Sequence, residues 1–152
     1  MLSTTGAASR HVRHLFDAEL RYQDGMAPIC ELDGRGKLVG SGTGRVEGPG
    51  ISGTVRWSNF EQVFADHCRL SVAGTIETDD GAEIRFDSQG FALPPTEGGP
   101  WKVASAVRFA VDDSRYRWLV ASPAIWEGEF DATTATARYR AYGPAEPRDA
   151  ES

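Results

Sequence analysis

Residues 70–90 restrict the fold more than any other stretch of the chain: an alternating run, the turn Thr78-Asp79-Asp80-Gly81, then a second alternating run ending in Gly90-Phe91. With Asp79, Asp80 and Gly81 as the loop, Thr78 faces Ala82, Ile76 faces Ile84, Gly74 faces Phe86 and Val72 faces Ser88, because partners on paired antiparallel strands share a face. One face is then apolar. The other carries Ser71, Thr75, Glu77, Glu83, Arg85, Asp87 and Gln89. A slip of one residue would drive those charges into the core, so the register is well specified.

The rest of the chain repeats this grammar. Alternating segments fall at residues 14–22, 37–47, 51–57, 68–78, 82–91, 101–111, 118–127 and 134–142, a spacing expected of a barrel or sandwich. Gly34-Arg35-Gly36, Glu47-Gly48-Pro49-Gly50, the Pro- and Gly-rich residues 94–100 and Asp112-Asp113-Ser114 lie between them as turns. The one helical candidate is 59–66, where Phe60, Val63 and Phe64 recur at helical spacing, as a short plug or lid. An all-β fold, a closed antiparallel barrel of about eight strands with at most one short helix, follows as the most economical way to remove exposed sheet edges. Residues 1–12 and 143–152 read as disordered tails around a single domain at 13–142, since neither has enough apolar surface to order itself.

Several function classes are disfavoured by composition. A formal net charge of −6, from 22 acidic against 16 basic residues, argues against nucleic acid or an anionic membrane surface as partner. The two cysteines, Cys30 and Cys68, lack C-x-x-C spacing and read as free thiols of a reducing compartment. Residues 1–13 have neither the basic start nor the apolar stretch of a signal peptide, and no run reaches membrane-spanning length. The cytoplasm is the expected location.

Motif-like features have structural explanations. Gly34-x-Gly36 and Gly40-x-Gly42-x-Gly44 are followed by no helix and no Lys-Ser or Lys-Thr pair, so they read as bulges or barrel corners rather than phosphate loops. Asp79-Asp80-Gly81 is a hairpin turn without the further oxygen ligands of a calcium loop. His11-x-x-His14 and the adjacent His67-Cys68 offer no shared zinc geometry, because neighbours on a strand point to opposite faces. Gly40-Ser41-Gly42 lies in a strand and not at a nucleophile elbow. No metal and no cofactor is expected.

Other residues point to a pocket. Alternation puts His14 on the row of Phe16, Ala18, Leu20 and Tyr22, where a histidine serves as acid or base in a dry site or sits half solvated at the strand end. Trp57, Tyr139 and the pair Trp118 and Trp126 fall on three separate segments, and Trp118, Val120, Ser122, Ala124 and Trp126 share one face of an expected strand. Small residues between two tryptophans leave space for another side chain or an apolar ligand. Arg108 has small neighbours, which suits either a guanidinium reaching into a cavity or an outer, solvated face.

Residues 44–53, 75–82, Gly90, Arg108-Phe109 and Arg115-Tyr116-Arg117-Trp118-Leu119 together resemble, in order and spacing, the bacterial family catalogued as domain of unknown function 3237. The resemblance spans roughly residues 15–142. It implies a closed barrel similar in architecture to allene oxide cyclases and dirigent proteins, which take apolar or aromatic substrates inside the barrel. The chain departs from the family pattern at Gly74, Ser88, Ala104 and Val120, where an aromatic, an asparagine, an arginine and an asparagine are usual, and near Arg56-Trp57-Ser58-Asn59, where the family carries Gly-Gly-x-Asp-Trp. Smaller and less polar residues there predict an enlarged, apolar cavity.

These readings converge on an enzyme that holds a hydrophobic or aromatic small molecule inside the barrel and carries out cofactor-free isomerisation, cyclisation or lyase chemistry. His14 or Tyr116 would transfer the proton, Arg108 and Ser88 would anchor the substrate, and Trp57, Trp118, Ser122, Trp126 and Tyr139 would form the wall. A non-catalytic carrier or sensor using the same cavity is the alternative, favoured if only Trp, Val, Ala and Ser line it. A third reading is a homo-oligomer assembled through an exposed apolar strand face. All three suppose that the inward side chains are arranged as this patterning suggests, and the first two need a hollow interior.

Overall fold

The computed structural model describes residues 13–23, 27–30, 36–121 and 123–144, with side chains for 13–23, 39–121 and 123–144. Ser122, the expected tail at 1–12 and residues 145–152 of the tail expected at 143–152 lie outside the described residues, while Gly143 is the last residue of the final strand. In chain order the elements are β1 (Arg13–Tyr22), β2 (Ala27–Cys30), β3 (Gly36–Glu47), β4 (Gly53–Val63), β5 (Cys68–Thr78), β6 (Glu83–Leu93), β7 (Trp101–Val111), a 3-10 helix (Ser114–Ala121), β8 (Ala124–Asp131) and β9 (Thr136–Gly143).

Neighbouring strands from β3 to β9 pair antiparallel, and β1 pairs with both β9 and β3, so the sheet closes on itself. Eight long strands make the barrel. The short β2, which sequence patterning did not single out, takes up the β3 edge where β1 leaves it: Tyr22 lies opposite Gly42, and Ala27 opposite Val39. Among the described residues no helix is long and apolar enough to cross a membrane.

The diagnostic hairpin has the expected register, with Ile76 opposite Ile84, Gly74 opposite Phe86 and Val72 opposite Ser88. Thr78 and Ala82 close the turn through Thr78 N donating to Ala82 O (2.8 Å) and Ala82 N donating to Thr78 Oγ1 (2.7 Å). Gly81 takes a φ of 93°, a left-handed conformation that costs a glycine little.

Two elements differ from expectation. Residues 59–66 do not form a helix: β4 continues to Val63, hydrogen-bonded to β3 on one side and β5 on the other. Ladder bonds on both edges outweigh the helical spacing of Phe60, Val63 and Phe64, and Gly53, Val55, Trp57, Asn59 and Glu61 all point inward and are buried. Conversely, Trp118 and Val120 are not on a strand with Trp126. Asp113 starts a 3-10 turn by accepting from Arg115 N at Oδ1 (2.9 Å) and Tyr116 N at its carbonyl (3.1 Å), and β8 begins only at Ala124. A bulge between His14 and Phe16 also breaks alternation in β1, so Leu15 and Phe16 are both buried.

The barrel's two ends are unlike. At one end the 3-10 helix inserts the fully buried Leu119 alongside Leu15 and Ile51. Tyr116 Oη donates to Asp80 Oδ2 (2.7 Å) and Arg115 Nη1 to Asp80 O (3.1 Å), which ties this plug to the β5–β6 turn. Phe16, Trp57, Phe86 and Trp126 fill the middle. Among the described residues a space lies inside the barrel toward the other end, where β4 joins β5, β6 joins β7 and β8 joins β9.

Candidate active site

That space is a cavity of about 400 Å³. Val63 from β4, Leu70 and Val72 from β5, Ala92 from β6, Trp101 and Val103 from β7 and Phe130 from β8 give it mostly apolar walls. An aromatic layer lies beneath: Tyr22 stands edge-on to Trp57 (4.5 Å between ring centroids) and Phe130 (5.3 Å), while Trp126 contacts Phe86 (5.2 Å) and Tyr139 (5.4 Å). The volume is within the range of small-molecule sites.

A compact polar group is set into these walls. Asn59 Nδ2 donates to Glu61 Oε1 at 2.8 Å and to the Tyr22 hydroxyl oxygen at 2.8 Å. The side chains reach one another because 59 and 61 are two apart on β4 and so project from the same face, with Tyr22 at the end of β1. Tyr139 from β9 and Cys68 from β5 complete the group. Among the described residues the Tyr139 hydroxyl makes no hydrogen bond.

Burial sets the protonation of every member. Loss of water raises the Glu61 carboxyl above its usual range, with the Asn59 hydrogen bond opposing. Burial, reinforced by the charge of Glu61, holds Tyr22 and Tyr139 above the usual phenol range, so both remain O–H donors at neutral pH. The Cys68 thiol is pushed up to about 11, first by burial and then by Glu61, and is therefore not a ready thiolate. A carboxyl raised by burial, two neutral phenols and mostly apolar walls are the parts of an acid–base site.

Of the site residues expected from the sequence and described in the structure, Tyr139 alone lines this cavity. Trp57 and Trp126 are buried in the filled half. Ser88 points inward but spends its hydroxyl on Val72 O (3.1 Å). Trp118 packs at the plugged end, its Nε1 donating to Arg115 O (3.0 Å). Tyr116 is committed to Asp80, and burial together with that carboxylate raises its phenol. His14 is half buried on β1 near the plugged end, 2.8 Å from Asp17 Oδ1. Arg108 alternates outward and is exposed, which settles its two readings in favour of the solvated face.

The positions where the chain departs from the family pattern do not enlarge the cavity as expected. Ala104 and Val120 are exposed, and a side-chain carbon on Gly74 would meet the Phe86 ring at 2.8 Å. The room at Gly74 is taken by Phe86. The helical spacing of Phe60, Val63 and Phe64 hides Asn59 and Glu61, which extending the alternation of Val55 and Trp57 by two steps puts inside; Tyr22 and Cys68 are placed on strands by their patterning, which gives them no site role.

Outside the barrel a wider groove of about 850 Å³ crosses the row Arg45, Glu19, Arg138, Glu129 and Lys102. Its charges already pair across strands, Arg138 Nε with Glu19 Oε2 (3.2 Å) and Lys102 with Glu129, and water reaches them all. It offers no dry surface for chemistry.

Residues 11–143 match the family described as protein of unknown function, DUF3237. The chain belongs to this family. The DUF3237 barrel is shared by solved structures of low sequence identity. A conserved protein of unknown function from Rhodopseudomonas palustris superposes with a TM-score of 0.77 at 20% identity, covering 88% of this chain and 97% of that one. A protein of unknown function from Clostridium acetobutylicum gives 0.77 at 19% identity, covering 88% and 99%. An enzyme from Penicillium herquei gives 0.66 at 23% identity, covering 86% and 92%. These likenesses establish the DUF3237 fold and no chemistry. None of the curated proteins compared with the chain matches it.

Proposed function

We propose that this barrel is an enzyme that encloses an apolar or aromatic small molecule in its open half and moves a proton within it, with Glu61 as acid and base. The observation that carries this reading is the Glu61 carboxyl buried in the wall of a largely apolar 400 Å³ cavity, held by Asn59 and accompanied by two neutral phenols. A carrier needs no titratable group there. Burying one costs stability, and such perturbed groups cluster at sites of chemistry. Isomerisation, cyclisation and elimination all need what this site supplies: a held conformation, a proton acceptor that can return the proton, and donors for developing charge on oxygen. That the same fold is used by an enzyme from Penicillium herquei supports catalysis on this scaffold.

The test has two steps. N-phenyl-1-naphthylamine, a neutral fluorescent probe, should brighten on binding, and Val72→Trp, which fills the cavity from its wall, should abolish the signal while leaving the fold intact by circular dichroism. Small molecules extracted from the purified protein and returned to it in D2O should gain deuterium with wild type and not with Glu61→Gln. Probe binding unaffected by Val72→Trp would place the ligand elsewhere. Deuterium uptake equal in both proteins would leave Glu61 without a catalytic role.

A further inference from the structure

Resting on that reading, we infer that the ligand is an uncharged carbonyl compound whose oxygen accepts from the hydroxyls of Tyr22 and Tyr139 while its α-carbon lies against Glu61. The inference comes from which hydrogen-bonding capacity the cavity leaves unspent. Asn59 Nδ2 donates to the Tyr22 oxygen, which leaves the Tyr22 proton to be given to something else. The Tyr139 hydroxyl has no partner among the described residues and is flanked by the Trp126 ring, so its proton is also available. Glu61 receives from Asn59 at Oε1, which leaves Oε2 for the guest. Two donors and one carboxyl oxygen therefore face an otherwise apolar space.

That inventory selects a ligand. No Lys, Arg or His is among the described residues lining the cavity, so a carboxylate or phosphate would find no cation among them and would lie beside Glu61. An ammonium has no lone pair to accept from either phenol and would leave both of their protons unpaired. A hydrocarbon would leave two buried phenol protons unpaired, at a cost that a carbonyl oxygen removes. A ketone satisfies every group at once.

The same arrangement supports a balanced reaction. The Glu61 carboxylate takes a proton from the carbon α to the carbonyl; the C–H electrons become a C=C bond, and the carbonyl π electrons move onto oxygen, where two phenol O–H groups hold the enolate. With a β,γ-unsaturated ketone, return of that proton from Glu61 to the γ-carbon gives the conjugated isomer. No oxidant, reductant or second reactant is consumed.

Four molecules of nearly one shape test this in the full-length protein: 2-acetylnaphthalene, the hydrocarbon 2-isopropenylnaphthalene, 2-naphthoate and 1-(2-naphthyl)ethylamine. Titration by intrinsic fluorescence at neutral pH should rank the ketone about tenfold tighter than the hydrocarbon, as expected for one net buried hydrogen bond, and the anion weakest. Tyr22→Phe and Tyr139→Phe should each shrink the ketone's advantage without weakening hydrocarbon binding, which shows that the cavity itself is intact. Wild type should exchange the acetyl hydrogens of 2-acetylnaphthalene in D2O, and Glu61→Gln should slow this by about a hundredfold or more while still binding the hydrocarbon. Equal affinity for ketone and hydrocarbon, or a preference for the acid or the amine, would overturn the carbonyl assignment and leave the cavity reading standing. Failure of all four to bind, together with failure of N-phenyl-1-naphthylamine, would overturn both.

Discussion

Replacing Glu61 with Gln should change how stability depends on pH, with a predictable sign. The substitution keeps the shape and leaves an amide oxygen to accept from Asn59 Nδ2, but it removes the ionisable proton. Burial raises the native Glu61 carboxyl above its ordinary value of 4.5. Below that value Glu61 is protonated in both states and contributes no slope. As pH climbs past it, the unfolded chain releases a proton that the native chain keeps, so native protein binds more protons and stability falls. The slope approaches about 1.4 kcal/mol per pH unit for one such group and vanishes once the native carboxyl has also ionised. At ordinary urea sensitivities of about 1–3 kcal/mol per molar, 1.4 kcal/mol moves the unfolding midpoint by about 0.5–1.4 M. Urea titrations of wild type and Glu61→Gln at half-unit steps from pH 4 to 8 measure it directly. All other groups, including the lowered Asp79, Asp80 and Asp113 carboxyls, titrate in both proteins and cancel in the difference. The variant should gain on wild type as pH rises. Two curves that stay parallel across this range would show that Glu61 is not held in a dry environment, and the argument for an acid–base site would fail with it.

Leu119 is fully buried under the 3-10 plug, so Leu119→Ala should cost about 2–5 kcal/mol, seen as a drop in thermal midpoint of many degrees; a shift within error would mean that the plug does not close the core. Arg108→Ala, on the solvated face, should change stability by no more than about 0.5 kcal/mol and leave the affinity for N-phenyl-1-naphthylamine as it is. A large loss of probe binding in that variant would restore the inward reading of Arg108.

The fold was legible because period-two alternation carries its own check. In the 70–90 hairpin one face is charged and the other apolar, and only one register satisfies both. Closure was legible too, since eight such segments leave two edges that pairing removes. The site was harder to see. Its members lie on β1, β4, β5 and β9, far apart in sequence, and are polar residues on an inward row, where patterning expects apolar ones. Phe60, Val63 and Phe64 imitate a helix locally, and only the ladders to β3 and β5 resolve them as strand. Large rings fill space, and the three tryptophans emphasised as wall residues, Trp57, Trp118 and Trp126, lie in or against the solid half. What marks the hollow is the smaller set of Ala92, Val72 and Val103 around a carboxyl.

Pairing of β1 with β9 sets Arg13 directly across from Gly143, at the plugged end and a barrel's length away from the pocket entrance. The first residue of β1 and the last of β9 therefore lie together at the rear of the barrel, opposite the pocket. A circularly permuted version, with those neighbouring positions linked and new ends opened in an exposed turn, would retain every hydrogen-bonded neighbour around the ring. Tethering the barrel to a surface through Arg13 or Gly143 would likewise present the entrance outward.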